Sequence, residues 1–66
     1  MKSIARIENE LSNYQECFVV VEKNVIELFI YKHVSERWSI NTIGSISAPI
    51  YCDTINEVSE LLKREY

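Results

Sequence analysis

Two apolar runs, Cys17–Val21 and Val25–Tyr31, are separated only by the polar Glu22-Lys23-Asn24. Both are β-branched and aromatic, a composition that fits a pleated surface and resists a helix. A break this short folds the second run straight back along the first, so Gln15–His33 reads as a β-hairpin. With Lys23-Asn24 as a two-residue turn, Glu22 lies opposite Val25. Asn24 then supplies the residue that tolerates positive φ, although a longer loop also fits. This register puts Cys17, Val19 and Val21 on one face with Ile26, Leu28 and Ile30. Phe18 and Val20 share the other face with Val25, Glu27, Phe29 and Tyr31.

The flanking segments have other periods. Ile4, Ile7, Leu11 and Tyr14 follow a helical stripe, which predicts a helix over Ser3–Ser12 with Ser3 as N-cap and Asn13 as left-handed C-cap. After a turn at Val34–Glu36, the segment Arg37–Ile43 alternates. Trp38, Ile40 and Thr42 face one way, and Arg37, Ser39 and Asn41 the other, as in a strand with one wet face. Gly44 ends it. Ser45–Ala48 reads as loop, and Pro49 limits Ile50–Cys52 to a short edge strand at most. Thr54 and Glu57 have capping-box spacing ahead of an Ile55, Val58, Leu61, Leu62 stripe, and Asp53 is an alternative cap. Glu57 near the start and Lys63 and Arg64 near the end suit the helix dipole.

The order α-β-β-β-(β)-α, in a chain of 66 residues with one Gly and one Pro, predicts a single α+β domain over 1–66. It is a two-layer sandwich: an antiparallel meander of three or four strands flanked by N- and C-terminal helices. Nine Ile, six Val and four Leu supply a core, and such a composition excludes intrinsic disorder. The Val19/Val21/Ile26/Leu28/Ile30 parity is expected under the helices, because the other carries Glu27 and Tyr31. That other face is still unusually apolar for a solvated one. Either the helices split between the two faces, or Ser45–Cys52 folds over the second, or an aromatic patch stays open for a partner.

Composition narrows the function. The N-terminal segment lacks the apolar run of a signal peptide, and no run approaches the length of a membrane span. Cys17 and Cys52 are therefore read as free thiols of a cytoplasmic protein. Two Cys and one His, with no metal-ligand spacing, predict no metal site. His33 has no sequence-local carboxylate except Glu36, nothing in the spacing joins it to Cys17 or Cys52, and one Gly cannot build a phosphate loop, so neither catalytic residues nor a cofactor are expected. The net charge of −3 opposes nucleic acid and is modest for a nucleic-acid mimic. What remains is a non-enzymatic protein-interaction module: a small regulator, inhibitor or adaptor, whose size and Ile/Asn/Glu/Lys-rich usage are compatible with a phage or mobile-element type. Its partner is another protein or a second copy, bound through Phe18, Val20, Phe29 and Tyr31. The alternatives are a single-strand nucleic-acid binder stacking bases on Phe29, Tyr31 and Trp38, or a small subunit of a homo-oligomer.

Overall fold

The computed structural model describes residues Met1–Tyr66, in the order α1 (Ile4–Tyr14), β1 (Glu16–Val21), β2 (Ile26–Lys32), β3 (Trp38–Thr42), β4 (Ile50–Cys52) and α2 (Ile55–Glu65). Helix α1 begins where expected: Ser3 Oγ accepts the Arg6 N–H at 3.2 Å. It ends two residues beyond the expected stop. Gln15, not Asn13, takes the left-handed conformation at φ 58, and its N–H caps the Leu11 carbonyl. Asn13 instead stays helical and donates to Asn9 Oδ1 at 3.1 Å. The later stop turns the chain in a single residue, so that Glu16 enters the sheet at once and Cys17 reaches the core.

The four strands form one antiparallel sheet in chain order, β1-β2-β3-β4. Glu16 pairs with Tyr31 and Val21 with Ile26, which is the register read from the hairpin. The turn differs. Glu22–Val25 make a four-residue loop, with the Val25 N–H reaching the Glu22 carbonyl at 3.4 Å, and positive φ falls on Val25 (52°) rather than Asn24. The reason is twist. A right-handed bend at Lys23-Asn24 splays the strands, and a left-handed residue after it restores the twist of the sheet. A β-branched residue is strained there, by about 1–2 kcal/mol. Val25 is 87% exposed and gives no packing in return. Val25→Asn should therefore stabilise the domain by roughly 1 kcal/mol, read as a raised urea midpoint; a lowered midpoint would contradict the strain.

The second turn is held by His33, whose N–H donates to the Arg37 carbonyl at 2.7 Å and whose carbonyl accepts from Glu36 at 2.9 Å. Strand β3 pairs with β2 through Ile30–Ile40 and Lys32–Trp38. It pairs with β4 through Trp38–Cys52 and Ile40–Ile50, so the edge strand is real and the sheet has four strands. The cap of α2 departs slightly from a capping box. Thr54 Oγ1 accepts the Glu57 N–H at 3.1 Å, but Glu57 Oε2 reaches past the cap to the Asp53 N–H at 2.8 Å.

Both helices lie on the same sheet face, α1 over β1 and α2 over β3 and β4. Ile7 and Leu11 of α1 and Val58 and Leu62 of α2 close over Cys17, Val19, Val21, Leu28, Ile30, Trp38, Ile40 and Cys52. This is the expected parity. The helices are tied to each other by a 2.6 Å hydrogen bond from the Ser59 hydroxyl to Glu8 Oε2. Nothing from either helix covers the opposite face.

Candidate interaction face

Strand parity assembles the open face. Glu16, Phe18 and Val20 come from β1; Glu27, Phe29 and Tyr31 from β2; Ser39 and Asn41 from β3; Tyr51 from β4. Phe18 and Val20 are 43% and 42% exposed, far more than a core position allows. Phe29, paired with Phe18 across the ladder, is half-buried. Its ring stacks on Tyr31 with centroids 5.7 Å apart and planes at 30°. The aromatic row continues past the strand end. The Tyr31 and His33 ring centroids are 6.3 Å apart, and His33 and Tyr51 form a T-shaped pair with centroids 5.6 Å apart. The Arg37 guanidinium lies 5.5 Å from the Tyr51 centroid, a cation–π contact.

The four residues expected on this face, Phe18, Val20, Phe29 and Tyr31, are together on it. Val25, grouped with them in the sequence reading, lies in the turn and off the sheet. Trp38 lies on the other side, 6% exposed, with Lys32 Nζ 5.6 Å from its ring. The expected stacking trio of Phe29, Tyr31 and Trp38 is therefore split between two faces. In place of Trp38 the row is completed by Tyr51, which sequence reasoning did not group here, with His33 and Arg37 beside it. The signal for Tyr51 is the pairing of Ser39 with both Tyr31 and Tyr51, legible only once β4 is known to join β3.

The floor between the two tyrosines is polar yet satisfied. Ser39 is fully buried, small enough to let the rings close over it. Asn41 Nδ2 donates to Ser39 Oγ at 3.1 Å and to the Phe29 carbonyl at 3.2 Å. No buried side-chain polar atom lacks a partner. The aromatics thus stand on a fixed base and have little order to gain on binding.

The titratable groups are arranged for structure. Cys17 lies under α1, its Sγ 3.6 Å from Glu10 Oε1 and 3.7 Å from Lys2 Nζ. Burial pushes both the Cys17 and Cys52 thiols up, and Glu57 and Asp53 add to the effect at Cys52, so neither is a thiolate at neutral pH. They sit on the two outer strands of the sheet, three spacings or about 14 Å apart, beyond the reach of a disulfide. His33 belongs to the opposite layer from both. The Lys2 hydrogen bond holds the Glu10 carboxyl below its ordinary value. Because folding depresses this pKa, the pairing stabilises fully above the ordinary carboxylate range and is lost as pH falls through the lowered value.

A groove of about 390 Å³ runs between β4 and α2, lined by Ile50, Tyr51, Cys52, Glu57, Glu60, Leu61 and Arg64. No group of three His, Cys, Asp or Glu side chains is placed to hold a metal ion. No helix is long and apolar enough to cross a membrane. Comparison with known proteins finds no matching family model, no matching curated protein and no matching solved structure.

Proposed function

We propose that this chain is a non-enzymatic protein-interaction module, a small regulator, inhibitor or adaptor working in a reducing compartment such as the cytoplasm. It binds a protein partner through Phe18, Val20, Phe29 and Tyr31. The observation that carries this reading is the placement of both helices on one side of the sheet. Phe18 and Val20 are left open beside the stacked Phe29 and Tyr31. Aromatic side chains at such a patch remove much area from water with few rotamers to freeze. A protein suits the face better than a polyanion. Glu16 and Glu27 border the aromatics, Trp38 is buried on the other side, and the chain carries −3.

The test uses Phe18→Ser, because Phe18 is exposed and its loss leaves the core intact. Wild-type and variant chains, immobilised equally, are presented with lysate of the native host. The wild type should retain a partner that the variant binds more weakly by roughly 2 kcal/mol, while their circular-dichroism melts coincide within a few degrees. Equal recovery by both chains would refute the assignment of the face. The row Phe29–Tyr31–His33–Tyr51, with Arg37 beside it, favours one second reading, a single-strand nucleic-acid platform. Oligonucleotide binding that falls steeply with salt would assign the face that way instead.

A further inference from the structure

We propose that a second copy of this chain pairs with the first along β1, antiparallel and about a two-fold axis at Phe18, so that the sheet continues from four strands to eight. The pairing uses the main chain of β1 and the flank of α1. It stands whether or not the open face binds another protein.

The first observation is which main-chain groups are free. The Lys32 N–H donates to the Gln15 carbonyl at 3.1 Å. By the alternation of an antiparallel ladder, Gln15, Cys17, Val19 and Val21 turn their peptide groups toward β2. Glu16, Phe18 and Val20 then turn theirs outward. At that edge the Phe18 carbonyl meets only the Cys17 thiol, at 3.8 Å.

The second observation is the contrast between the two edges. His33 bonds to Arg37 and Ile43 to Glu27, so Trp38 and Ile40 turn toward β4 and engage Cys52 and Ile50. On that edge only Tyr51 is left with outward groups. Pro49 precedes the strand and has no N–H, and the Asp53 N–H is held by Glu57. Folded proteins blunt their edges with short strands, prolines, lysines or bulges, and β4 is blunted in this way. The β1 edge has six residues and contains neither proline nor lysine. It pairs with β2 without a bulge. It is kept as a template for another strand.

The third observation says whose strand. The Met1 amino group is 3.6 Å from Glu22, and Glu10 reaches Cys17. Helix α1 therefore runs antiparallel to β1, with the midpoint of Arg6 and Glu10 level with Phe18. Both residues lie on the flank of α1 away from α2, because Glu8 is the residue that meets Ser59 of α2. Within the chain Glu10 already holds Arg6 at 3.1 Å and Lys2 at 3.0 Å, and a two-fold axis at Phe18 sets this Arg6–Glu10 pair against its copy in reverse order, so that Arg6 lies beside the partner's Glu10. The flank is complementary to itself, as an isologous interface requires.

Sedimentation and amide hydrogen exchange test the pairing on the intact chain. From micromolar to millimolar concentration the mass should rise from 7.8 kDa to twice that, and the Phe18 and Val20 amides should gain protection in step. Val20→Pro deletes an outward N–H that the monomer does not use, at a position where an edge strand accepts proline. It should stay folded by circular dichroism and remain monomeric. Arg6→Glu and Glu10→Lys should each weaken self-association at least about tenfold by setting like charges together, and an equimolar mixture of the two should restore the dimer. If Val20→Pro fails to fold, the mixture decides. A wild type that stays monomeric with Phe18 and Val20 exchanging freely overturns the proposal. So does a dimer that survives both charge reversals, or one lost in Phe18→Ser but intact in Arg6→Glu, which belongs to the open face. Binding of only a foreign extended strand to β1 overturns it too.

Discussion

Trp38→Ala should remove about 3–5 kcal/mol of stability, most of what a domain this small possesses. The indole is 6% exposed, under the helix layer, between Lys32 on one neighbouring strand and Cys52 on the other. Hydrogen-bonded strands on both sides of β3 prevent the backbone from closing the space. Much of the cavity therefore persists, and its cost adds to the lost transfer energy. The truncation also frees the Lys32 ammonium from its place over the ring. Trp38→Phe keeps most of the buried volume and should cost far less. Because Trp38 is the one tryptophan, urea unfolding must be followed by far-ultraviolet circular dichroism. An Ala variant within 1 kcal/mol of wild type would mean that Trp38 does not fill the core.

Leu62→Ala is the second large effect, about 2–4 kcal/mol. Leu62 is fully buried beside Val58, and its carbonyl accepts the Tyr66 N–H at 3.0 Å in the last turn of α2. A terminal turn relaxes more easily than a central strand, which places the expected cost below that of Trp38→Ala. The neighbouring Leu61 is only partly buried, at the groove beside β4, so Leu61→Ala should cost about 1 kcal/mol. Reversal of that order would mean that α2 is rotated about its axis. Leu62 lies in the layer opposite the open face. Its loss should leave association per folded molecule unchanged, whereas Phe18→Ser should change association and leave stability nearly unmoved.

Much of this architecture is written in short-range patterns. The alternation of Cys17–Val21 and Ile26–Ile30 states both the pairing and the buried side, because a slip of one residue would expose every core side chain. Ser3 and Thr54 mark their helices because a side-chain oxygen at that place satisfies an orphan amide. Three features escape such patterns. Val25 takes a conformation that its own preference opposes, and only the twist of the flanking strands demands it. Gln15 replaces Asn13 as the helix stop because the stop is set by where Cys17 must land. Strand β4 is three residues behind a proline, too short for periodicity, and only its bonds to β3 define it. The candidate face divides along the same line. Phe18, Val20, Phe29 and Tyr31 follow from one hairpin, whereas His33, Arg37 and Tyr51 meet only after a turn and an edge strand have closed.

The chain-order meander has a kinetic consequence. Every strand pairs with its nearest neighbour in sequence, and α1 passes into β1 through the single residue Gln15. Such contacts close short loops, and domains dominated by them cross their folding barrier quickly. The exception is the seam between the helices, where Ser59 reaches Glu8 across 51 residues. That closure joins distant parts of the chain, so it is expected to follow formation of the sheet. The expected nucleus is the meander, with φ-values higher at Leu28 and Ile30 than at Val58 and Leu62.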